Sequence, residues 1–193
     1  MPLRLLTAPT GLPVSLDEAK GHLRVESTDD DTLITGLLTA AVQHLDGKDG
    51  WLGRCLLPQQ WALDIDHGWP CEVELPLLPV TAVDAVKYVD MDGSEQTLST
   101  DYYDVHLDRG LVSWAYGVCL PAARCQRNAV SVEFSAGYAD AHSVPGPIKS
   151  AILLMVGNLY ANREAVNVGN IVTDIPFGVD ALLAPYRVRR TVA

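Results

Sequence analysis

The chain has 193 residues, 48% of them hydrophobic and 20% charged, a balance that suits a globular fold with a sizeable core and excludes a disordered chain. Its 24 Asp and Glu against 14 Lys and Arg leave a formal net charge of −10, which excludes a protein that grips nucleic acid through a basic face. The longest strong apolar run, Ala151 to Gly157, is far short of the ~20 residues of a membrane span, and Met1 to Val14 lacks the uninterrupted apolar stretch of a secretory signal.

Along the chain, Ser15-Leu16-Asp17-Glu18 is a capping-box pattern and predicts a helix from Leu16 to about Val25. Gly21 inside it costs about 1 kcal/mol relative to alanine. An acidic cluster, Asp29, Asp30 and Asp31, then opens a second helix. Its apolar stripe is Leu33, Ile34, Leu37, Leu38, Ala41, Val42 and Leu45. Carboxylates suit the positive end of a helix dipole, so capping is preferred to a cation site. The part up to about Trp51 therefore reads as helical.

From about Gly53 to Tyr138 the pattern changes to alternation. Gln60 to Asp66, Val83 to Met91 and Val130 to Ala136 read as strands, and Asp92-Gly93 as a hairpin turn. Prolines 70, 76 and 79 mark strand ends or edges. Six or seven short strands are expected, arranged as a sandwich or barrel. Asp64 and Asp66 share one strand face, and the alternation places both on the solvent side, opposite Leu63 and Ile65.

Pro145 and Pro147 suit a helix start, and one long helix is expected from Ile148 to about Asn162. Its apolar residues cover most of the helix circumference, which requires burial on more than one side. The second cover is either the β part or another subunit. A short helix near Val179 to Leu183 ends at Pro185, and Arg187, Arg189 and Arg190 form the only dense basic cluster. A tail opposite in sign to its domain often docks on a partner.

The fold class expected is α+β. About four helices form a discontinuous core, residues 1–52 plus 143–193, with a β-sandwich-like or barrel-like insertion at 53–142 between the second and third helices.

No catalytic pattern emerges. There is no G-x-x-x-x-G-K, G-x-G-x-x-G or G-x-S-x-G, and the five histidines form no H-x-x-x-H or H-E-x-x-H. Asp90-x-Asp92-Gly93 lacks the remaining ligands of a calcium loop and reads as a turn. Cys55, Cys71, Cys119 and Cys125 make no C-x-x-C pair and read as reduced cytoplasmic thiols. No catalytic residue, cofactor or metal ligand is assigned.

Several segments in succession resemble the head–tail connector proteins of tailed phages, also called adaptor or head-completion proteins. They are Val14 to Val25, Phe134-Ser135-Ala136-Gly137-Tyr138 with Val144-Pro145-Gly146-Pro147-Ile148, Tyr160-Ala161-Asn162-Arg163-Glu164, and Ile175 to Val179 with Leu182 to Arg187. The likeness is greatest to the subgroup with a β-rich insert, found in prophages and gene transfer agents. The resemblance implies a non-enzymatic virion protein, made in the host cytoplasm and placed at the virion neck. There it would form a ring of about a dozen copies beneath the portal, extending the DNA channel and docking a stopper or tail component. DNA would pass without specific binding.

A ring needs two different patches on each subunit. Leu153, Leu154, Val156 and Tyr160 on the long helix are the expected subunit contacts. Glu26, Asp29, Asp30 and Asp31 are the expected acids of the channel or rim, where repulsion keeps DNA from binding. Phe177, Tyr186, Arg187, Arg189 and Arg190 are the expected portal contacts, by analogy with the family's C-terminal segment. Three other readings stay open: a stopper or tail-completion protein, a small β-sandwich hydrolase, and a β-sandwich binding module.

Overall fold

The computed structural model describes residues 2–162 and 177–188. Contacts divide the chain into two compact units, residues 11–57 with 139–193, and residues 1–10 with 58–138. The chain is mixed α+β, with a β-rich stretch between its second and third helices.

The first unit is helical. Helix α1 spans Leu16–Leu23, and its capping box forms as the sequence predicts: the Glu18 amide donates to Ser15 Oγ at 3.1 Å, and the Ser15 amide to Glu18 Oε2 at 2.8 Å. It ends two residues earlier than expected because Arg24 takes a left-handed conformation, φ 57°, and its N–H closes back on Gly21 and Lys20. Helix α2 spans Asp31–Leu45 and buries Ile34, Leu38, Ala41, Val42 and Leu45. Helix α3 spans Gly146–Ala161 and buries Ile148, Ala151, Ile152 and Val156 against α2. Helix α4, Phe177–Leu183, packs on α3 and continues into a 3-10 turn at Ala184–Tyr186. Two ion pairs strap α1 down: Lys20 Nζ to Asp31 Oδ1 at 2.6 Å and Lys149 Nζ to Glu18 Oε1 at 2.9 Å.

The other unit holds eight strands among the described residues, all antiparallel. Strands β1 (Leu3–Thr7), β2 (Gln59–Ile65), β8 (Val130–Ala136), β4 (Val80–Val89) and β5 (Glu95–Thr97) form one sheet in that order. Strands β3 (Glu72–Glu74), β7 (Leu111–Trp114) and β6 (Tyr103–His106) form a second. The first sheet's centre is β8, where Trp61 registers with Phe134, Leu63 with Val132 and Ile65 with Val130, all of them buried. Trp69 joins the sheets, with ring centroids 5.4 Å from Tyr88 of β4 and 5.1 Å from Trp114 of β7.

Residues 59–136 hold seven strands, within the six or seven expected of that stretch, although β3 and β5 have only three residues each. Residues 3–7, read from sequence within the helical part, are instead the edge strand β1. Its partner β2 lies more than fifty residues away, so no local pattern betrays the pairing.

Candidate assembly surfaces

Asp64 corrects the sequence reading most sharply. It is 2% exposed rather than solvated. Arg4 of β1 reaches over it, donating from Nε to Oδ2 at 2.6 Å and from Nη2 to Oδ1 at 3.1 Å, while Ser131 Oγ donates to Oδ1 at 2.9 Å. Burial pushes its carboxyl up, but the hydrogen bonds from Arg4 and Ser131 and the Arg4 charge outweigh that and hold it below its ordinary value. Asp66 accepts the Asn128 amide at 2.8 Å, so the two carboxylates serve the fold separately.

The Asp90 carboxylate is filled by its own hairpin. Oδ1 accepts the Asp92 and Ser94 amides at 3.0 and 2.9 Å, and Oδ2 accepts Gln96 Nε2 at 2.9 Å. Among the described residues, no group of three or more His, Cys, Asp or Glu is placed to hold a metal. No helix there is long and apolar enough to cross a membrane.

The expected contact residues of α3 divide. Leu154 is 41% exposed and Leu153 half-buried, so both lie off the buried face. Leu159 on the same helix is also exposed, a residue the sequence reading did not assign to the interface. Val156 is fully buried in its own unit and is a core residue, not a contact. The 3.6-residue period places it with Ile148 and Ile152, on the face that α2 covers. The half-buried Tyr160 donates its hydroxyl to Asp30 Oδ2.

The four expected channel acids divide likewise. Glu26 and Asp29 are exposed in the turn between α1 and α2. Asp30 receives Tyr160, and Asp31 pairs with Lys20, so these two work first within the helical unit.

The last described residues dock on a loop that also closes α2. In that loop Trp51 and Leu52 donate their amides to the His44 and Leu45 carbonyls, at 2.9 and 3.3 Å, satisfying acceptors the helix end leaves open. Leu56 donates to Asp46 Oδ1 at 2.7 Å. Gly50 is required there, since a Cβ would stand 2.4 Å from the Asp46 carbonyl oxygen. On this loop the Arg187 guanidinium stacks 4.4 Å from the Trp51 ring centroid, Val188 donates its amide to Leu52 at 2.9 Å, and Arg54 Nε donates to the Tyr186 carbonyl. Arg189, Arg190 and the Phe177 side chain lie outside the described residues.

Residues 13–106 match the family model of phage gp6-like head–tail connector proteins. The match runs from α1 through β6, half-way into the β-rich stretch, and stops before the 134–187 segments. No curated protein matches. Among solved structures, a chain from the virion of the native gene transfer agent particle aligns with TM-score 0.77 and 26% identity. One from the neck of the empty particle, computed with C6 symmetry, gives 0.76 and 25%. Both alignments cover 100% of this chain and 98% of the other. A neck chain of the native particle, computed with C12 symmetry, shares the fold at TM-score 0.76 and 24% identity. The chain thus resembles phage gp6-like head–tail connector proteins over residues 13–106 and shares its full-length fold with chains of gene transfer agent particles.

Proposed function

We propose that the chain is the adaptor of a phage-like or gene-transfer-agent-like particle: a ring at the virion neck, beneath the portal, that extends the DNA channel and presents a docking surface for the stopper or tail. The observation that carries this is the full-length alignment, 100% of this chain on 98% of a gene transfer agent chain at TM-score 0.77. A protein matched over helices and β-rich stretch alike is expected to share an assembly role. The symmetry of the neck reconstructions, C6 and C12, favours a closed ring built from heterologous contacts.

In this role the exposed Leu154 and half-buried Leu153 of α3 meet the neighbouring subunit. Glu26 and Asp29 face the channel or its rim, where negative charge keeps DNA sliding. The basic tail reaches the portal beyond its anchor at Val188. Native mass spectrometry across a concentration series, alone and with purified portal, tests the proposal. A closed ring in either condition is expected. Persistent monomers or dimers on the portal would refute it.

A further inference from the structure

Among the described residues the two sheets have four edge strands, and they are not equivalent. Strand β5 reads Glu95-Gln96-Thr97 and is exposed throughout, and β3 flanks the buried Val73 with exposed Glu72 and Glu74. Such polar, acidic edges discourage strand addition. The other two edges carry apolar side chains into solvent. On β1, Leu5 and Leu6 are 47% and 45% exposed, beside a bulge between Leu5 and Thr7. At β6 and the residue after it, Val105 and Leu107 are 37% and 43% exposed. Among the described residues each strand pairs on one side only, β1 with β2 and β6 with β7, so each is an edge strand with backbone N–H and C=O groups on its outer side.

The two edges also differ in charge. The one charged residue of β1 is Arg4, whose side chain is 57% exposed although it holds Asp64. Strand β6 carries the exposed Asp104, while Asp108, two residues beyond its end, lies 4.0 Å from the Arg109 guanidinium. One edge is apolar with the Arg4 cation, the other apolar with the Asp104 carboxylate.

We infer that β1 of one copy pairs with β6 of the next, edge to edge, as a heterologous contact between subunits. This rests on the ring reading above and names the surface that closes it. The occupant is a second copy because the complementary edge is on this same chain. Because β1 and β6 are different edges, each subunit uses one to give and one to receive, as cyclic assembly demands. Backbone pairing supplies affinity, and Leu5, Leu6, Val105 and Leu107 supply apolar contact.

The test uses the full chain on portal, or alone if it assembles alone. Leu6→Lys and Val105→Lys each place a charge on one edge at an already exposed position. Each should raise the concentration for half-assembly by about tenfold or more, as an unpaired interfacial charge does. Mixed one to one, the two variants retain a single competent contact between them and should stop at a heterodimer. As a variant-free check, the amides of residues 3–7 and 103–106 should gain hydrogen-exchange protection on assembly. A normal ring from either variant, or a full ring from the mixture, overturns the edge pairing and leaves the ring reading standing. An unchanged chain that never assembles, even on portal, removes both.

Discussion

Arg4 of the edge strand β1 forms a two-point ion pair with Asp64 of β2, at 2.6 and 3.1 Å, and Ser131 of β8 completes the carboxylate's partners. An N-terminal strand is thereby fixed to the middle of the chain by a buried charge. Arg4→Ala would leave Asp64 with Ser131 alone. Breaking a buried pair costs about 3–5 kcal/mol, and the discount for an arginine more than half exposed brings the expected loss to about 2 kcal/mol. Urea unfolding monitored by circular dichroism measures it. Asp64 is held below its ordinary value of 3.8, so its contribution is complete above that pH and fades as pH falls below it. The parent should lose stability over that acid range, and Arg4→Ala should lose less of what remains.

Glu18 should titrate unusually low. The Ser15 amide, then Lys149, hold its carboxyl down to about 2, against 4.5 for an ordinary glutamate. A depressed carboxyl stabilises the fold above its unfolded value, so this contribution is lost as pH falls from about 4.5 toward 2. A carboxyl NMR titration reads the midpoint directly, and a midpoint near 4.5 would contradict the capping box. Ser15→Ala should cost about 1 kcal/mol and raise that midpoint.

Leu154 and Val156 should separate assembly from folding. Val156→Ala removes fully buried methyls, with an expected loss of about 2 kcal/mol in thermal or urea unfolding. Leu154→Glu changes an exposed position and should leave unfolding within about 0.5 kcal/mol while weakening the ring in native mass spectrometry. Equal ring formation by Leu154→Glu and the parent would exclude this face of α3 from the interface.

The clasp on Trp51 anchors the C-terminal segment as far as Val188. Removing residues 189–193 should abolish attachment to purified portal with no change in melting temperature. Arg187→Ala removes the stacking on Trp51 and should cost about 0.5–1 kcal/mol, the range for an exposed cation–π contact. Retained portal attachment by the 1–188 truncation would show that the tail does not carry the contact.

Of the acids proposed for the channel, only Glu26 and Asp29 can be reversed without cutting a tie to Tyr160 or Lys20. Glu26→Lys with Asp29→Lys should slow DNA ejection from reconstituted particles and steepen its dependence on salt, because each lysine adds a phosphate contact. Ejection at the parent rate would take these two residues out of the channel.

The sequence by itself determined what depends on neighbours a few residues apart. The capping box of Ser15 and Glu18, the Asp92-Gly93 turn and the exact extent of β8 all follow from local spacing and are present, as is the α2 stripe apart from the exposed Leu33 and the half-buried Leu37. The succession of segments also pointed to the connector family, which the family match and full-length fold bear out. Tertiary structure decided whatever rests on partners distant in sequence. Alternation alone put Asp64 in solvent, and only the arrival of Arg4 from β1 buries it as an ion pair. Hydropathy made α3 apolar nearly all round, but only the packing of α2 against one face separates the buried Val156 from the exposed Leu154. The physical reason is the same in both: a side chain's pattern records that it needs cover, and the fold alone decides which surface provides it.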